Sequence, residues 1–286
     1  MPEPGPGATA LPASLVGAEA GPLEHAIDAR WLMAYAAALG ETDARYTDTG
    51  GTLLAHPLFA VCYEWPAALA VRGHWIPAAV ADRVVHATHD LTIHRAPRAG
   101  DRLQTRARIV SLEARRPGAF LVTRMETRDA DGELVTVTEY GSLYRGVGLE
   151  GAGAAPAPRP AAGPVAGADL AEAGDVRVAA TLAHVYTECA RIWNPIHTDL
   201  AHARAAGLPG IILHGTATLA LSVSRVLAAK GVDPAAVRRI RARFSGMVPM
   251  PSTLSVSAVR QGDALLFGTT CAGAPVITGG VIDLAG

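Results

Sequence analysis

The chain has 286 residues, half of them apolar, with 25 basic and 26 acidic side chains, a formal net charge of −1 and a pI near 6.8. That balance excludes nucleic acid or an anionic membrane as the main partner, and 5% aromatic content argues against a base-stacking surface. The length suffices for one large domain or two small ones, each with its own core.

In chain order, the opening text MPEPGPGATALPASLVG lacks a basic n-region and reads as part of a flexible tail over residues 1–22, not as a signal peptide. Residues 23–145 make a first domain-sized piece. Residues 146–174, rich in Gly, Ala and Pro, have little to bury and read as a linker. Residues 175–286 make the second piece. No run reaches the ~18 apolar residues of a membrane span. Cys62, Cys189 and Cys271 are far apart and odd in number, which points to a reducing, cytoplasmic compartment.

The two pieces resemble each other. YAAALGETDARYTD (Tyr35 to Asp48) and YTECARIWNPIHTD (Tyr186 to Asp199) both run from Tyr to Thr-Asp over the same length. Each is followed by a His in apolar text, His56 and His214, and later by strand-like segments. Duplication is the reading; chance likeness in Ala-rich text is the bland alternative. DARWLMAYAAALG and TLAHVYTECARIW begin with short strand or helix signals and end in loops. TATLALSVSRVLAAKG is a helix with Gly231 as its stop, and its weak polar side means that other structure wraps it. VTVTEYGSLY, RIRARF and TLSVSAV alternate as half-buried antiparallel strands, and DADGE (Asp129 to Glu133) is a hairpin turn. Each half is thus a loop, one buried helix and several long strands: an α+β pattern met by an antiparallel sheet curved around a central helix.

The chemistry concentrates in Tyr186 to Gly215. Pro195 fixes its own φ and restricts Asn194, so His197 sits on a stiff loop, as a general acid/base requires. An isolated His is more often a turn cap. Asp199 is most simply a helix N-cap with Gly207 as the stop. Gly215 opens an apolar helix, where its bare N–H and the helix end suit a carbonyl oxygen that becomes an enolate. On β-like RIRARF, alternation puts Arg239, Arg241 and Arg243 on one face. That face could receive phosphates, with a solvated or charge-guarded strand face as the plainer reading. His184, His197, His202 and His214 lack metal-ligand spacing, and no Gly-rich nucleotide loop is present.

These residues, NPIHTD…AGLPGIILHG, resemble the MaoC-like, or hydratase 2, family of (R)-specific enoyl-CoA hydratases in its fused two-domain form. The resemblance implies a double hotdog, with a degenerate N-terminal half and the catalytic motif in the C-terminal half. It implies a lyase of fatty acid metabolism that adds water across a 2-enoyl thioester, or the reverse, with no cofactor beyond the CoA or acyl-carrier thioester itself. Carried over by position, His197 is the catalytic His, Asn194 orients its loop, and Gly215 is the oxyanion donor. The family's Asp falls on Ile192 and its Gly on Arg191, so the expected carboxylate is absent. Glu188 is the best local substitute, with an exposed strand-end charge as its plainer reading; Glu41 falls at the equivalent of Ile192 in the first half, where Tyr46 replaces the His. The alternatives are a catalytically silent acyl-CoA-binding or partner subunit, or a thioesterase or isomerase on the same scaffold. A homodimer or pairing with another hotdog subunit stays open.

Overall fold

A computed structural model describes residues 10–151 and 170–286. In chain order the first half contains β1 (Ala10–Pro12), β2 (Glu19–Ala26), α1 (Ala29–Ala38), α2 (Ala60–Trp75), α3 (Ala78–Ala81), β3 (Val84–Ile93), β4 (Arg102–Arg115), β5 (Gly118–Arg128), β6 (Leu134–Arg145) and β7 (Gly148–Glu150). The second half contains β8 (Ala171–Val178), α4 (Leu182–Ala190), α5 (Leu200–Ala205), α6 (Gly215–Lys230), β9 (Val237–Phe244), β10 (Ser252–Gln261), β11 (Ala264–Cys271) and β12 (Ala274–Leu284).

Ten strands form one antiparallel sheet in the order β2-β4-β5-β6-β3-β9-β12-β11-β10-β8. The order is a palindrome of equivalents. β2 answers β8, β4 answers β10, β5 answers β11, β6 answers β12, and the halves meet at the β3–β9 seam. The duplicated text thus folds as two hotdogs joined edge to edge. Each sheet half carries its own long helix, α2 or α6, and the matched tyrosines Tyr35 and Tyr186 meet with their hydroxyls 3.4 Å apart.

The long helices are nearly apolar because they are covered on most sides. In α6, Ala217 to Val223 are all buried, and the helix ends at Gly231 with φ +60, the left-handed stop that a residue without Cβ takes cheaply. α2 is buried over its first turns, where it holds Glu64, carries Pro66 in its interior, and exposes Leu69 and Trp75 towards its end. The segments around Tyr35 and Tyr186 are helices, α1 and α4, not strands. The Asp28 carboxylate caps α1 by accepting from Trp31 N–H at 2.7 Å.

Two expected boundaries need correction. Residues 10–22 are not a loose tail: β1 pairs in parallel with β7, and Glu19 and Ala20 already pair with β4. The reading of residues 146–174 as linker fails at both ends, where β7 and β8 lie in sheets; residues 1–9 and 152–169 lie outside the described ones. The cysteines are all unpaired. Among the described residues no helix is long and apolar enough to cross a membrane.

Candidate active site

Asn194 has extended backbone, and its Oδ1 accepts from Ile196 N–H at 3.4 Å. Pro195 then begins a single 3-10 turn that ends on His197. Asp199 caps α5 by accepting from Ala201 N–H at 2.8 Å and His202 N–H at 3.2 Å, and Gly207 stops it with φ +79. These local devices hold the loop from both sides.

His197 is 9% exposed. Its Nδ1 lies 2.8 Å from the Ile212 carbonyl, and its ring stacks on His214 at 3.8 Å and 27°. A carbonyl only accepts, so Nδ1 carries the proton and Nε2 keeps its lone pair. Burial lowers the His197 pKa to about 4, against a smaller upward pull from the Ile212 contact. The ring is therefore neutral at pH 7, a fixed tautomer with one free base position. His214 supports it from below: it precedes Gly215 at the start of α6, has Thr187 Oγ1 3.2 Å from its Nε2, and burial depresses its pKa to about 2.

His197, Gly215, Asn194 and Ile192 all line one cavity of about 460 Å³. The first intrahelical bond of α6 runs from Thr218 N–H to the His214 carbonyl at 3.0 Å, so the preceding N–H groups of the helix, that of Gly215 included, have no intrahelical acceptor. The Phe244 ring covers Gly215 so closely that an added Cβ would meet it at 3.3 Å. Imidazole and helix end thus share one chamber, as the loop and the His-Gly pair imply.

The carboxylate does not come from the sequence neighbourhood. Glu188 is exposed on α4 and does not line the cavity, and Ile192 is 4% exposed within the apolar core. The arginine reading is likewise corrected. Phe244 lines the cavity, so its neighbour Arg243, and Arg241 and Arg239 in alternation, lie on the opposite face of β9. Arg239 makes a bidentate pair with Asp90 at 2.7 and 2.8 Å, which staples the seam, and Arg241 pairs with Asp283 at 3.0 Å. The cations that line the cavity are Arg72 and Arg145 of the first half.

Sequence reasoning also missed the far wall. Glu64 from α2 and His86 and His89 from β3 line the same cavity. A lone charge inside AVCYEWPAALA and two histidines in VVHATHDLTI were the available signals. The counterpart of the His197 site in the first half is filled. His56 Nδ1 accepts from Leu58 N–H at 3.0 Å, so its Nε2 donates to Ser224 Oγ at 2.9 Å, and Ser224 donates to Glu41 at 2.5 Å.

Burial also sets how folding responds to acid. His56, His89, His197 and His214 have folded pKa values of about 3, 4, 4 and 2, all below the ordinary 6.5. Between those values and 6.5 the unfolded chain binds more protons, so stability falls as pH drops through that window. His25 and His86 are lowered by burial in the same sense, while Glu64, raised to about 7 by burial, and Glu139, also raised by burial, oppose it, two groups against six. Denaturant midpoints are expected to fall steeply from pH 6.5 to 4. A flat profile there would show that these rings are solvated.

The family pattern described as MaoC like domain matches residues 167–279, and the FAS1-like, dehydratase domain region matches residues 14–138. The chain carries a MaoC-like dehydratase domain after a FAS1-like dehydratase region. It has a two-domain double-hotdog fold, with a TM-score of 0.77 to the MaoC-like dehydratase from Phytophthora capsici, at 22% identity over 94% of this chain and 96% of that one. This MaoC-like chain is 31% identical over 193 residues to peroxisomal multifunctional enzyme type 2 of Drosophila melanogaster, covering 64% of itself and 31% of that protein. The full-length structure of that enzyme aligns with a TM-score of 0.71 at 26% identity, covering 93% of this chain and 48% of that one. Enoyl-CoA hydratase 2, peroxisomal, of Arabidopsis thaliana is 35% identical over 79 residues, 27% of this chain and 25% of that protein. The MaoC-like chain thus spans about a third or less of the length of these curated relatives.

Proposed function

We propose that the chain interconverts 2-enoyl and 3-hydroxyacyl thioesters with His197 as the single side-chain base. The observation that carries this is the free Nε2 of a neutral, tautomer-fixed imidazole in the chamber that the α6 N-terminus also lines. In the dehydration direction His197 Nε2 takes the α-proton of the thioester. The negative charge moves to the thioester oxygen, held by the Gly215 N–H and the helix end. The C3–O bond then breaks, the imidazolium returns the proton to the departing hydroxyl, and water and the 2-enoyl thioester leave. Hydration is the reverse. With one group doing the work of two, the rate should lie about 10²–10⁴ below that of a site with both members. Incubation with crotonyl-CoA and longer enoyl-CoAs, followed by loss of the conjugated absorbance, tests this; no turnover at any chain length sinks it.

Gly215→Pro isolates the amide. Proline is favoured at the first helical position, and His214, with φ −58 and ψ 138, already has the backbone that a following proline requires. The proline ring presses on Phe244, 3.3 Å from the Cβ position, so Gly215→Ala, which adds the same Cβ but keeps the N–H, is the reference; relative to it the proline variant should lose about 10²–10³ in kcat. Loss below tenfold would mean that the oxyanion sits elsewhere.

The Ile192 wall favours a second reading, a silent acyl-thioester-binding subunit. Calorimetric binding of saturated acyl-CoA with no turnover of any enoyl-CoA would select it.

A further inference from the structure

The cavity does not end at the base. Four buried side-chain atoms without a protein hydrogen-bond partner belong to residues of its first-half wall: Glu64 Oε2, His86 Nε2, and both ring nitrogens of His89. Glu64 and His89 are each 2% exposed. The other Glu64 oxygen is satisfied, accepting from Thr138 Oγ1 at 2.7 Å. A β-bulge between His86 and Thr88 turns His86 and His89, three residues apart, to the same face of β3. Buried polar atoms left unmatched are costly, so such a group in a ligand chamber implies a polar ligand atom.

The cluster spreads along the cavity: the His86 ring lies 4.5 Å from that of Phe244 and 5.5 Å from that of His89, whereas register places Glu64 away from the thioester end. Thr138 pairs with Leu91, and Leu91 with Ile240, which lies four residues along β9 from Phe244. At about 4.8 Å per strand and 3.3 Å per residue, the Glu64 carboxyl over Thr138 stands roughly 15 Å across the sheet from Phe244, where Gly215 sits. That is the reach of the distal part of an acyl chain, not of the reacting carbons.

We propose that the first-half wall of this cavity selects thioesters whose acyl chain carries an uncharged oxygen function, a hydroxyl or keto group, hydrogen-bonded by Glu64 and His89. The inference rests on the thioester reading above. Chemistry sets the class. Neutral His89 offers one N–H and one lone pair. Glu64, raised to about 7 by burial, is available as a carboxylic acid that donates to an oxygen. A plain alkyl chain would leave these atoms unmatched. A carboxylate would lie against Glu64, with the cavity's Arg72 eight residues further along α2, about 12 Å away.

Calorimetry compares decanoyl-CoA, its ω-hydroxy, mid-chain hydroxy and ω-keto forms, and the matching dicarboxylic monothioester. The intact protein should bind at least one hydroxy or keto form about tenfold to a hundredfold more tightly than decanoyl-CoA. Glu64→Leu should abolish that preference, while Glu64→Gln, which still hydrogen-bonds, should retain part of it; if the leucine variant does not fold, His89→Phe should lower the preference instead. Equal binding of all forms, tightest binding of decanoyl-CoA or of the carboxylate, or a preference untouched by these variants overturns the assignment. Enoyl-CoA turnover is measured alongside. Preference without turnover would sink the hydratase reading alone, and turnover without preference would sink this one alone. No binding of any thioester would sink both.

Discussion

His197→Ala is expected to lower kcat for enoyl-CoA hydration by about 10²–10⁴ with KM little changed, because the imidazole acts on the proton and not on substrate affinity. The ring makes one backbone contact and one stack, so the loop, held by Asn194 and Asp199, should survive its loss. The pH profile carries a second signature. The base must be unprotonated, and its folded pKa is about 4. Thus kcat/KM should stay flat from neutral pH down to about pH 5 and fall below it, whereas a solvated histidine would give an acid limb near 6.5. Absorbance assays across this range, with melting curves to confirm folding, settle the point. Undiminished turnover in the alanine variant would remove His197 from the chemistry.

Ile192→Asp is expected to act in the opposite direction. It places a carboxylate on the cavity wall that holds His197, at the position where the family resemblance implies one. Supplying the second member of an acid/base pair should raise kcat by about 10² or more. The same change buries a charge where Ile192 now packs at 4% exposure, so folding stability should fall by about 2–4 kcal/mol. Ile192→Asn separates the two effects: it should destabilise comparably and accelerate nothing. Turnover and chemical denaturation of both variants supply the comparison. If the aspartate variant folds and is no faster, a missing carboxylate is not what limits this site.

Arg191 shows how local and tertiary causes meet beside that position. It closes α4 in the left-handed region with φ 58, which accounts for glycine there in the family signature. Here the guanidinium lies over the Trp31 ring at 4.0 Å, a contact from the first half that compensates the strained backbone.

Much was legible from order alone. The Asn-Pro turn, the Asp199 cap, the α6 helix with its glycine stop, and the duplicated strands follow from interactions spanning a few residues, and those are written in adjacent letters. The same locality misled at Glu188. It lies four residues before Ile192, but the left-handed turn at Arg191 breaks the helical spacing, and α4 turns its side chain to solvent. Alternation put Arg239, Arg241 and Arg243 correctly on one face of a strand. It could not say which face meets the cavity, because that depends on where Phe244 packs.

By itself, then, the sequence determined a twofold hotdog architecture, a rigid histidine loop, an apolar helix opened by Gly215, and an isoleucine at position 192, where the family resemblance implies a carboxylate. Only the tertiary structure decided that His197 is neutral and lines the chamber, that Arg239 and Arg241 pair with carboxylates of neighbouring strands, and that Glu64 and His89 furnish the far wall. The reason is physical. Caps, turns and periodicity are short-range, whereas desolvation and the β3–β9 seam, which unites groups over a hundred residues apart, exist only once the two sheets have joined.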